Sequence, residues 1–140
     1  MPRKSKVLIL CTGNSARSQM AEGLFRYAGG NRYEVFSAGT KPSMVRPEAI
    51  AVMHEIGIDI SGHRSKSVDE FAGQELDLVI TVCDNAKESC PIFPGATQRL
   101  HWPFDDPAAV AGSEEQRLAA FRSIRDQIQA RIKLFLDSPA

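Results

Sequence analysis

The sequence predicts an α/β domain: a four-stranded parallel sheet with helices on both faces. Three observations predict it. Val7-Leu8-Ile9-Leu10 and Leu78-Val79-Ile80 are short and continuously apolar, as parallel strands buried on both sides require. Segments of helical period separate the strand-like runs. No repeat, low-complexity tract or linker breaks the alternation, so right-handed crossovers and a single domain over residues 1–140 follow.

Each element has its own signal in the chain. Lys6 to Leu10 reads as the first strand. Arg17 to Ala28 reads as a helix, with Met20, Leu24 and Tyr27 on one face and Gly29-Gly30 as its stop. Tyr33 to Ser37 is the second strand, ended by Ala38-Gly39. Pro47 suits the first turn of a helix that runs through Ile50, Met53 and Ile56 to Gly57. Asp77 to Val82 is the third strand, and Gln98 to His101 a short fourth. Ser113 and Gln116 form a capping box. The helix it opens carries the stripe Leu118, Phe121, Ile124 or Arg125, Ile128, Ile132 and Phe135, and runs to the C-terminus.

Composition narrows the partners. Lys+Arg and Asp+Glu balance at 17 each, so no net field recruits nucleic acid or an anionic membrane. No apolar run reaches the roughly 18–20 residues of a membrane span. The basic start, Met1 to Lys6, is followed only by a strand-length apolar run, unlike a secretory signal. Three sparse cysteines do not make a secreted disulfide framework. A monomer in a reducing cytoplasm is expected, with thiols kept for chemistry.

The stretch Cys11-Thr12-Gly13-Asn14-Ser15-Ala16-Arg17-Ser18 concentrates that chemistry. It joins a strand to a helix, so its amides and the helix N-terminus favour an anion. The same field favours thiolate at Cys11, a nucleophile. Arg17 offers a planar fork for two oxygens of a tetrahedral oxyanion. Thr12 to Ser18 are therefore the expected substrate-binding residues. A nucleotide-binding loop is a poor fit, because that motif ends in Gly-Lys-Ser/Thr and has no nucleophilic cysteine.

Two further segments add a proton donor and more thiols. Pro103 and Pro107 bracket Asp105 and Asp106 in a loop after the fourth strand. An aspartate there can protonate a leaving oxygen; Asp106 is the better candidate and Asp105 the runner-up. Cys83 ends the third strand as Cys11 ends the first, so the two can be spatial neighbours. Cys90 lies seven positions beyond Cys83. That spacing does not suit zinc, and no histidine completes a set, so no metal is expected. If the intervening residues are helical, the two Cα atoms are roughly 10 Å apart. A disulfide needs less than about 7 Å, so these thiols can pair only if the segment unwinds. His54, His63 and His101 read as surface or satisfied histidines, and Trp102 as a core or loop anchor.

The Cys11-to-Glu22 stretch resembles the phosphate loop of low-molecular-weight tyrosine phosphatases and their arsenate reductase relatives. Thr81-Val82-Cys83, Cys90-Pro91-Ile92-Phe93-Pro94 and His101 to Pro107 resemble the thioredoxin-coupled arsenate reductase branch. The resemblance implies a phosphatase-like fold and a relay. Cys11 attacks arsenate held by the loop and Arg17, and Asp106 protonates the departing oxygen. Cys83 then resolves Cys11, and Cys90 resolves Cys83. It further implies that Ser18 steadies the Cys11 thiolate and that Asn14 shapes the loop. No bound cofactor is implied, only an external thiol reductant: thioredoxin, or glutaredoxin or another low-molecular-weight thiol. The competing class is an aryl-phosphate or phosphotyrosine phosphatase using Cys11, Arg17 and Asp106. It needs neither Cys83 nor Cys90, and it favours aromatic residues where this chain has Ala108-Ala109-Val110. Some relatives bind potassium at positions matching Asn14, Glu22 and Ser37 plus an aspartate. Here Lys66 takes the aspartate's place, and its ammonium is expected to replace the ion. Ala16 stands where some relatives carry another cysteine.

Overall fold

Four parallel strands lie in the order β2-β1-β3-β4. In the structure, a computed structural model describing residues 4–83, 93 and 95–137, these are β1 (Ser5–Cys11), β2 (Tyr33–Gly39), β3 (Leu76–Thr81) and β4 (Ala96–His101). The helices are α1 (Arg17–Gly29), α2 (Pro47–His54) and α3 (Glu114–Asp137). Strand β1 is central, pairing Cys11 with Gly39 on β2 and Leu10 with Thr81 on β3. The strand order reverses beside β1, which opens a crevice at the carboxyl ends where ligands of such sheets bind.

The continuous apolarity of β1 has the expected cause. Val7, Ile9 and Cys11 face one core, with residues from α1, α2 and α3. Leu8 and Leu10 face a second, with Phe71 and Phe93. Among the described residues, all three α-helices thus pack on one face, and the 3-10 turn Val68–Phe71 packs on the other.

Helix α3 begins as its capping box requires. Gln116 N donates to Ser113 Oγ at 3.2 Å, and Ser113 N donates to Gln116 Oε1 at 2.9 Å. Its stripe buries Phe121, Ile124, Arg125, Ile128 and Ile132. Helix α2 is shorter than the sequence pattern suggests. It ends at His54, and Ile56 falls in the turn closed by Gly57, whose φ is +79°. Tyr27 also departs from expectation and is 76% exposed. Phe25 takes the buried place, edge-on to Tyr33 with ring centroids 5.0 Å apart. The last turn of α1 is only partly covered, and Tyr27 edges a groove between the C-terminal turns of α1 and α3.

Candidate active site

Residues 12–16 leave β1 and re-enter as α1, and neighbouring chain braces this loop from outside. Lys41 N donates to Thr12 O at 2.9 Å, Ser43 N to Gly13 O at 3.2 Å and Arg46 N to Ser15 O at 2.9 Å. Ser65 Oγ adds a bond to Gly13 O at 3.0 Å. Loop carbonyls that turn outward are therefore satisfied by protein. Carbonyls held outward leave amides to face the crevice, which suits an anion. Ala16, at the start of α1, supplies no side-chain cap to compete for that role.

The backbone bend has two causes. Asn14 is left-handed with φ +47°, and it is the one non-glycine residue of that kind among those described. Gly39, paired with Cys11, admits the close approach: a Cβ there would lie 2.5 Å from Thr12 O and 2.9 Å from Asn14 N. In the sequence Gly39 marks only a strand end.

Cys11 is buried and is a free thiol. Its Sγ lies 3.0 Å from Ser18 Oγ. Asn14 Nδ2 donates to the same hydroxyl at 2.8 Å and to Ser37 Oγ at 3.0 Å. With its oxygen occupied as an acceptor, the Ser18 hydroxyl can direct its hydrogen to sulfur, the arrangement that stabilises a thiolate.

Arg17 is buried, and its Nη1 donates to Phe104 O at 3.1 Å. Its Nη2 lies 4.0 Å from Asp106 Oδ2. Asp106 caps the 3-10 turn Pro107–Ala109 by accepting from Ala108 N at 3.0 Å, while Asp105 is more exposed. Phe104 N donates to Val82 O, Trp102 N to Thr81 O and Val82 N to Leu10 O. One ladder therefore joins the acid loop, the Cys83 segment and the end of β1. Cys83 is fully buried in the same core as Cys11, and it is disulfide-bonded. Cys90 lies outside the described residues. His101 bonds across the strands to Thr81 Oγ1 at 2.6 Å, and Trp102 is buried against Phe135 and Arg131.

Behind the loop lies a buried polar cluster. Ser37 Oγ donates to Glu22 Oε1 at 2.5 Å, and Arg26 pairs with Glu22 Oε2 at 2.9 Å. Lys66 Nζ is 3.8 Å from Glu22 Oε1, and its main-chain N donates to Asn14 Oδ1 at 2.9 Å. His63 places Nε2 3.6 Å from Glu22 Oε2 and Nδ1 3.0 Å from Gln19 Oε1. It is a satisfied histidine, as expected, but it belongs to the cluster supporting the loop. Burial holds the pKa values of His63 and Lys66 below their ordinary values, and the Glu22 carboxylate offsets only part of that push. Among the described residues, no three His, Cys, Asp or Glu side chains gather where they could hold a metal ion. Nor is any helix among them long and apolar enough to cross a membrane. Lys66 beside Glu22 is where the family resemblance places it; the approach of His63 from a separate segment is not legible in the sequence.

Comparisons with known proteins agree with this geometry. The family model for low molecular weight phosphotyrosine protein phosphatase matches residues 6–138. An arsenate reductase of Halalkalibacterium halodurans is 46% identical over 135 residues, covering 96% of this chain and 97% of that protein. A solved arsenate reductase in the phosphate binding state superimposes with a TM-score of 0.82 at 34% identity, covering 97% of this chain and 99% of the other. A thioredoxin-dependent arsenate reductase of Corynebacterium glutamicum gives a TM-score of 0.73 at 27% identity, over 96% of this chain and 61% of that one.

Proposed function

The chain belongs to the low molecular weight phosphotyrosine protein phosphatase family, and on that premise we propose that it reduces arsenate to arsenite by a three-thiol relay recycled by thioredoxin. The observation that carries the reading is the pairing of two thiol positions. Cys11 sits at the mouth of an oxyanion loop, and Cys83 lies two residues beyond the neighbouring strand β3, with the Val82 N–Leu10 O bond between their segments. A hydrolase of this family has no use for the second cysteine, and the residues after the acid, Ala108 and Ala109, offer no aromatic grip for phosphotyrosine.

In the proposed cycle, arsenate enters the loop and Arg17 turns from Phe104 O to bind its oxygens. The Cys11 thiolate forms a sulfur–arsenic bond. One arsenic–oxygen bond breaks, and Asp106 gives that oxygen its proton so that it leaves as water. The Cys83 thiolate then attacks Cys11 Sγ. The sulfur–arsenic electron pair stays on arsenic, which leaves as arsenite, and a Cys11–Cys83 disulfide remains. Cys90 attacks Cys83, freeing Cys11 as thiolate, and a reduced dithiol partner restores the Cys83–Cys90 pair.

No step passes through a metal ion. The Lys66 ammonium near Glu22 supplies the positive charge that a potassium ion supplies in some relatives. Three sparse cysteines suit a reducing compartment such as the cytoplasm.

The test couples the purified chain to thioredoxin, thioredoxin reductase and NADPH. Arsenate-dependent NADPH loss is expected; none, alongside robust hydrolysis of an aryl phosphate, would move the assignment to a phosphatase. Cys90→Ser should complete one turnover and stall with Cys11 and Cys83 joined. Steady turnover in that variant would refute the relay.

A further inference from the structure

Gln19 lies in the first turn of α1 and is completely buried. Its Nε2 is 3.1 Å from Asn14 O, 3.0 Å from Asn14 Oδ1 and 3.1 Å from Arg64 O. All three are acceptors, so the amide nitrogen belongs at that end of the side chain. Two hydrogens serve three oxygens, one hydrogen being shared. The other end, Oε1, meets His63 Nδ1 at 3.0 Å, so that ring nitrogen carries the hydrogen. One side chain thereby ties the loop after β1 to the 63–64 segment, 45 positions away.

The residue it holds explains why this matters. Asn14 is left-handed, a conformation asparagine tolerates without preferring. Its side chain is fixed by Ser18, Ser37 and the main-chain N of Lys66. Those bonds leave its main-chain carbonyl unaddressed, and Gln19 binds that carbonyl. Turning the 14–15 peptide over would break the bond. It would also present an oxygen, in place of an N–H, to any anion in the loop.

We infer that Gln19 is a positioning residue for oxyanion binding: it clamps the carbonyl and the side chain of Asn14 together and keeps the loop's amides turned toward the anion. The inference rests on the part of the proposed function that places a tetrahedral oxyanion at Cys11, and not on arsenate reduction.

Two variants test it. Gln19→Leu removes the donors at similar volume. Gln19→Glu sets carboxylate oxygens against three acceptors and can still meet His63. With inorganic phosphate as the probe, calorimetry on the folded variants should show binding weaker by about tenfold or more. The arsenate KM should rise by a similar factor while kcat falls by less than about threefold. A role confined to packing would lower the melting temperature and leave phosphate affinity at the wild-type value; that result overturns the inference. Should neither variant fold, His63→Phe removes the partner that orients the Gln19 carboxamide. Phosphate binding weaker by about threefold then supports the inference, and wild-type affinity overturns it. A wild-type protein that binds phosphate without reducing arsenate would refute the reductase reading and leave this one standing.

Discussion

Behind the oxyanion loop, Asn14, Gln19, Glu22 and Ser37 are buried, and the carboxylate of Glu22 is met by a hydroxyl and by cations. At the seam between α2 and α3, Glu55 accepts from Arg122 at 2.7–2.9 Å and from Arg125 at 2.9 Å, with much of the pairing in solvent. Both regions join separate elements through charge and hydrogen bonds. They differ in what replaces a lost bond. Water can reach Glu55, whereas a partner removed near Asn14 leaves a buried group unsatisfied. The seam carries modest, salt-screened energy, and the loop network carries geometry.

Gly39→Ala should break this contrast most severely on the loop side. Its Cβ would strike Thr12 O and Asn14 N, which are backbone atoms and cannot swing aside. Displacing the loop by a fraction of an ångström to an ångström should cut kcat/KM for arsenate by about a hundredfold. A variant with wild-type kinetics would show that the loop tolerates movement.

Asn14→Ala comes next. It deletes the side chain that bonds Ser18, Ser37, Gln19 and Lys66 N. A loss of about 3 kcal/mol in a urea unfolding titration is expected, with weaker phosphate binding. Lys66→Asp restores the carboxylate found in potassium-binding relatives. Exchanging sodium for potassium buffer should then raise its activity several-fold and leave wild-type activity unchanged; a wild-type response to potassium would show that the ammonium does not replace the ion.

The smallest effect belongs to the seam. Arg122 holds the Glu55 carboxyl below its ordinary range. The charged form is thus favoured by folding. Its contribution is complete above the unfolded value of about 4.3 and is lost as pH falls through the lower folded value. Glu55→Gln should shift the melting temperature by no more than about 2 °C at neutral pH, less still at high salt, and should flatten stability only on the acid side of that value. A larger, salt-insensitive loss would place this seam with the buried network.

The two regions also differ in how much of them the chain disclosed. The seam follows from regular helices, although α2 ends early at His54 because Gly57 closes the turn with positive φ. In the loop, Cys11, Arg17 and Ser18 declared themselves by residue type and by their place between strand and helix. Gln19 and His63 did not, because their roles depend on contacts 44 and 45 positions away in the chain. Tyr27 misled for a related reason: helical period marks a face, but whether the last turn is covered depends on where α3 lies.

By itself the sequence determined the alternation of strands and helices, the nucleophile and its arginine, and the presence of further thiols. These are local properties, set by apolar pattern, turn chemistry and functional groups within one segment. Only the tertiary structure decided that Gly39 must lack a side chain, that Arg17 rests on Phe104 beside Asp106, and that His63 reaches the buried Glu22. Those facts depend on which strands lie side by side. In a parallel sheet, the crossovers bring distant residues to one edge, where packing then fixes their distances.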